Sequence, residues 1–181
     1  MENYENKYPP NSPLKTKKIF FGAQIFLRVL TVGATLAAAS IMVTNKQSIS
    51  IGDFDMEAKY NYSSAFKFFV YANIIACVCS VLSLFFLCVV GRYSSNPGHI
   101  FFLFLHDLIM MLLLLAGCSA ATAIGFLGKY GNTYSGWMPI CDRFGKFCHR
   151  GTVSVMLAYL SVIFLLILTV SSANKSRQIH V

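Results

Sequence analysis

Charge is scarce in this chain. Lys, Arg, Asp and Glu together make up 12% of its 181 residues, where a soluble domain carries about 25%. That argues against an ordinary water-soluble fold. A basic stripe interleaved with stacking aromatics is also missing, so the net charge of +8 does not signal nucleic acid. Anchoring at anionic lipid headgroups accounts for it instead. Lipidation signals are absent, because Glu2 is not glycine and Gln178-Ile179-His180-Val181 is neither a prenylation box nor a hydrophobic tail. No nucleophile–base pair, metal set or phosphate loop is visible. An enzyme is therefore not expected, and neither is a cofactor.

What is present is apolar: 56% of the residues are hydrophobic. They gather in four stretches, Ile19–Val43, Phe68–Val90, Ile100–Leu127 and Val153–Ala173. Each meets the roughly 20 residues that a spanning helix requires. The expected fold is an all-α integral membrane protein, a bundle of four transmembrane helices. Between the spans lie a first loop (44–67), a short turn (91–99) and a second loop (128–152). Tails 1–18 and 174–181 flank them. The first stretch resembles a signal peptide in its preceding lysines and in Ala37-Ala38-Ala39. Arg28 interrupts what should be an unbroken apolar core, so an uncleaved span is expected.

Orientation rests on local density. Lys15, Lys17 and Lys18 directly precede the first span and point it to the cytoplasm. Four spans return the C-terminus to the same side, with Lys175 and Arg177. By raw count the rule is balanced: Lys7 and Arg92 complete seven cations inside. Lys46, Lys59, Lys67, Lys129, Arg143, Lys146 and Arg150 make seven outside. Both termini are expected in the cytoplasm.

Two spans carry one charge each, Arg28 in the first and Asp107 in the third. A lone charge at that depth costs at least ~2.5–3.5 kcal/mol on insertion scales. Arg28 lies nine residues past Ile19 and Asp107 seven past Ile100, or about 13 and 11 Å at 1.5 Å per residue. The first and third helices enter from the same side, so both groups sit in one leaflet at nearly equal depth. Arginine's planar fork suits a bidentate contact with a carboxylate. The expectation is a structural clamp that packs helix one beside helix three. A proton or ion pathway through His106 is the alternative. The run Leu108–Leu115 offers nothing to carry an ion.

The loops add smaller signals. Asn61-Tyr62-Ser63 is a glycosylation sequon, close to the expected membrane surface. Cys141 and Cys148 are candidates for one bridge in an oxidising compartment. A metal site using Cys141, Cys148 and His149 lacks a fourth ligand and the usual spacing. Cys77, Cys79, Cys88 and Cys118 lie within spans and read as small apolar residues. Cys77-Val78-Cys79 is C-x-C, weak support for redox chemistry. Small residues recur every four positions at Gly117, Ala121 and Gly125. Ala116, Ala120, Ile124 and Gly128 form a neighbouring row, and Gly33 with Ala37 and Ala34 with Ala38 do the same in the first span. Such rows let helices approach closely in lipid, within one chain or between chains.

These residues together resemble the Casparian strip membrane domain protein-like (CASP-like) family of plants. The likeness runs from Ile19 to Asn174. It is carried by an arginine in span one and an aspartate in span three, at Arg28 and Asp107. The stretches Met42-Val43-Thr44-Asn45-Lys46-Gln47 and Ser64-Ala65-Phe66-Lys67-Phe68-Phe69-Val70 are similar to the family's, as is loop two with Trp137, Cys141, Phe144 and Cys148. The resemblance implies a multi-pass plasma-membrane scaffold with cytoplasmic ends. It implies homo- and hetero-oligomers with other CASP-like proteins in the lipid bilayer, and local cell-wall modification with secreted wall enzymes as partners. The founding members' first-loop motif is absent from 48–60, so the likeness is to the broader CASP-like group. The alternative function is a small channel or transporter subunit.

Overall fold

A computed structural model describes residues 13–51, 54–90 and 97–180. Residues 1–12 of the expected cytoplasmic tail 1–18, with Lys7, most of the turn 91–99 with Arg92, and Val181 lie outside the described residues. So does Asp53 of loop one.

Four helices carry the architecture: α1 (Pro13–Val43), α2 (Ser64–Val90), α3 (Pro97–Tyr130) and α4 (Gly145–His180). Each contains a stretch long and apolar enough to cross a membrane. The protein is a multi-pass membrane protein. Pro13 and Pro97 stand at the first helical positions of α1 and α3. There the missing N–H costs nothing and the fixed φ suits the helix. The helices overrun the apolar stretches. α4 starts eight residues before Val153, because Gly145–Thr152 continues the helix in polar sequence.

Burial follows one spacing. On α1 the buried positions include Gln24, Arg28, Thr31, Thr35, Ala38 and Met42. On α4 they include Ser154, Ala158, Ser161, Leu165, Leu168 and Ser172. Steps alternate between four and three residues on both helices. A 3.5-residue repeat is the pattern by which a helix keeps one seam of side chains toward its neighbours. The opposite faces carry exposed Phe26, Val29 and Leu36 on α1 and Met156, Ile163 and Ile167 on α4. In lipid those faces need no cover.

The packing order forms a ring. α1 packs on α2 and α4, and α3 packs on α2 and α4. α1 and α3 therefore face each other across the diagonal. This replaces the expectation that helix one lies beside helix three. The reason is connectivity: short links make successive helices neighbours, which leaves the first and third opposite.

Loop one holds a structure beyond the expected polar segment. Strands β1 (Lys46–Ile51) and β2 (Phe54–Lys59) pair antiparallel, from Lys46 opposite Lys59 to Ile51 opposite Phe54. The alternation Ser48-Ile49-Ser50-Ile51 before Gly52-Asp53 carries the period-two signal. Read for charge balance alone, it passes unnoticed. Lys59 Nζ meets Glu57 Oε2 at 2.8 Å on one strand face. The Lys59 pKa is raised, chiefly by that hydrogen bond to Glu57. A single 3₁₀ turn, Tyr60–Tyr62, leads into α2.

Candidate functional site

The polar centre of the bundle grows from α1. Arg28 is 1% exposed and Asp107 0%, so neither group reaches water or lipid. Arg28 Nη1 donates to Asp107 Oδ1 at 2.8 Å, and Nη2 donates to Oδ2 at 2.7 Å. The contact is a two-pronged, charge-assisted one across the bundle diagonal. Arginine's long stem makes that crossing; a shorter side chain on α1 could not.

A third helix joins through a residue that sequence reading passed over. Arg28 Nη1 also donates to Ser83 Oγ at 2.7 Å. Ser83 in turn donates to the Ser80 carbonyl at 2.9 Å. The hydroxyl proton is thus spent on α2's own backbone, which leaves an Oγ lone pair facing the guanidinium. Arg28 fastens α1 to α2 and α3 at one level. His106 Nδ1 lies 3.3 Å from Asp107 Oδ1, closer than its 100° offset along the helix suggests. Its ring is about one-sixth exposed.

Further ties bind α4. Ser154 Oγ donates to the Ala38 carbonyl at 2.7 Å. Gln24 Nε2, one turn from Arg28, approaches Ser172 Oγ at 3.4 Å. Thr122 and Tyr159 hydroxyls meet at 3.1 Å. Thr31 and Thr35 instead bond carbonyls of their own helix. Sequence reading missed these groups because single serines and threonines barely lower the hydropathy of a span. Their phase was the available signal: Gln24, Thr31 and Thr35 keep the three-and-four spacing from Arg28.

At the hairpin end a clasp joins the two loops. Asn45 Nδ2 donates to the Phe147 carbonyl at 2.8 Å, and the Phe147 N–H donates to Gln47 Oε1 at 2.8 Å. The Phe66 and Phe147 rings meet edge to face, with centroids 6.1 Å apart. Three residues of the stretches that carry the family resemblance therefore converge on one residue of loop two.

Loop two is compact. Cys141 and Cys148 are joined by a disulfide, with Cα atoms 5.7 Å apart. The bridge consumes both sulfurs, so the metal reading loses its thiolates and His149 stands without them. The Gly128 carbonyl accepts from Ile140 and Cys141 N–H at 2.8 and 3.0 Å, which folds the loop back on α3. Gly131 adopts φ +68°, and a Cβ there would come within 2.6 Å of the Trp137 carbonyl. Asn61 of the sequon is exposed on the 3₁₀ turn, two residues before the Ser63 that precedes α2. The small-residue rows divide: Gly117 packs against Ala72 at 3.1 Å and Ala121 is buried. Gly33 and Gly125 are exposed with open space beside them.

The arrangement is suited to locking helices in register. Its charges neutralise one another, and its hydroxyl protons go largely to main-chain carbonyls. Comparison with known proteins agrees with a membrane protein of this kind. The Casparian strip membrane protein domain matches residues 17–164. CASP-like protein 1F1 of Ricinus communis is 77% identical over 181 residues, the full length of both chains. CASP-like protein 1F2 of Populus trichocarpa is 58% identical over the same full lengths. CASP-like protein 1F1 of Arabidopsis thaliana is 40% identical over 167 residues, 92% of this chain and 96% of that relative. No solved structure matches. With four membrane-spanning helices and this domain across most of its length, the chain belongs to the CASP-like family.

Proposed function

We propose that this chain is a plasma-membrane scaffold, with both termini in the cytoplasm, which self-associates and assembles with other CASP-like proteins. It acts without catalysis, by organising a membrane domain and, through its outer loops, local cell-wall modification by secreted enzymes. One observation carries the reading. The outward face of α3 carries small residues between Leu112 and Phe126: Ala116, Ser119 and Ala123 are exposed at three- and four-residue spacing. A neighbouring helix can approach such a face closely, and packing in lipid is driven by that approach. Exposed Trp137 and Met138 on loop two supply an outward recognition surface.

The test is energy transfer between two labelled copies in liposomes. Ala116→Leu with Ala123→Leu should reduce it strongly while leaving the monomer's melting unchanged. Transfer equal to that of an unrelated four-span protein would reject self-association. A second reading, a small channel or transporter subunit, draws on the hydroxyl-bearing seam of Thr31, Thr35, Ser154 and Ser161. Conductance or solute flux from the reconstituted chain would favour it over the scaffold.

A further inference from the structure

At the hairpin end, residues of α1 and α4 border an open groove of ≈ 370 Å³ lined by Ile41, Thr44, His149, Arg150 and Val153. Helix spacing builds it. Ile41 is on α1 and Thr44 directly follows that helix, its N–H still bonded to the Ser40 carbonyl at 3.0 Å; Arg150 and Val153 stand three apart on α4, so each pair shares a face. The floor is apolar, from Ile41 and Val153. The rim is cationic. Arg150 and His149 are exposed, and neither has a hydrogen-bond or ion-pair partner among the described residues. Thr44 adds no donor, since its hydroxyl is spent on the Ser40 carbonyl at 2.8 Å.

Depth matters as much as composition. The apolar span of α1 ends at Val43. By apolar length Ile41 falls within the span of α1 and Thr44 one residue past it. The groove crosses the level at which a lipid changes from chain to headgroup. Lys146 lies on the Arg150 side of α4 four residues back, and Arg143 stands in the turn that precedes the helix, both exposed. Asp142 is the only acidic residue in 128–152, so the local field stays positive.

We infer that this groove holds a bilayer lipid with a phosphate-bearing anionic headgroup. The phosphate sits on Arg150, whose planar fork suits two phosphate oxygens, with the His149 ring as a second donor. The lipid's first methylenes lie against Ile41 and Val153. A soluble anion would leave that floor in contact with water, whereas the bilayer surrounds the groove already. The inference needs only that the chain spans a membrane. It stands whichever way the chain is oriented and whether or not the chain self-associates.

Native mass spectrometry of the full-length chain in detergent tests it, with phosphatidylglycerol and phosphatidylcholine titrated separately. The wild type should retain phosphatidylglycerol in preference. Arg150→Gln should weaken that retention roughly fivefold, the worth of one cation near a charged headgroup, and leave phosphatidylcholine unchanged. Ile41→Trp should fill the groove and displace phosphatidylglycerol with both cations intact. This second variant keeps the test open if the first fails to fold. Equal retention of the two lipids by the wild type, or unchanged phosphatidylglycerol retention in both variants, would overturn the inference. Displacement of the lipid by inorganic phosphate alone would reassign the groove to a soluble anion. A lipid-free dimer lost in Arg150→Gln would reassign it to a second copy.

Discussion

Removing Asp107 should damage this protein more than any loop substitution. Asp107→Ala deletes both acceptors of the Arg28 fork and leaves a guanidinium 1% exposed with Ser83 as its remaining partner. Two mechanisms give different magnitudes. If the pair counts only as two interhelical hydrogen bonds, the loss is about 1 kcal/mol, from an average near 0.6 each in membrane proteins. If the uncompensated charge dominates, the loss is about 3 kcal/mol, as insertion scales give for a central arginine. Burial decides for the second, because the guanidinium cannot reach water without opening the bundle. That predicts a fall of roughly 100-fold in the folded-to-unfolded ratio. The assay is titration with denaturing detergent, followed by helical circular dichroism, together with surface delivery in cells. The double variant Arg28→Asp with Asp107→Arg restores opposite charges at the same level. It should recover part of the loss, less the Ser83 bond, which the short aspartate on α1 cannot make. A loss under about 0.5 kcal/mol for Asp107→Ala, with normal delivery, would refute the clamp, since surface changes cost that much.

Ser83→Ala should cost about 1–2 kcal/mol by removing a bond to a charged donor. Ser80→Ala, whose Oγ is buried without a partner among the described residues, should cost far less, and the same titration reads both. Cys141→Ser with Cys148→Ser should loosen loop two by about 2–3 kcal/mol without shifting the helical melt. Peptide mapping with and without reductant should show the corresponding mass change in the unaltered chain, and its absence would remove the bridge. Asn45→Ala should free the Phe147 carbonyl at a cost of about 1 kcal/mol. Faster hydrogen exchange across 145–150 is the expected signature, and unchanged exchange would deny the clasp a role. Gly131→Ala should be strained at its positive φ and against the Trp137 carbonyl, which would show as early proteolysis of loop two.

The four spans were legible because their signal is local: an apolar run of sufficient length must cross or be buried. The meeting of Arg28 and Asp107 was legible for a different reason. Two opposite charges at one depth have a single cheap arrangement, and the helical rise gives the depth. The hairpin in loop one was legible too, in Ser48-Ile49-Ser50-Ile51, to a reading by period rather than by charge. The serines around the pair left only a faint trace in the spacing from Arg28.

Chain order, apolar length and the cost of lone charges thus determined a four-helix membrane bundle with an ionic core. They act along the chain or through the solvent, and need no knowledge of neighbours. Tertiary structure alone decided that α1 and α3 stand diagonally, and that Ser83 of α2 completes the arginine's contacts. It also brought Asn45 and Gln47 to Phe147, about a hundred residues away. Those contacts depend on which faces meet once the helices are packed, and no local pattern encodes that.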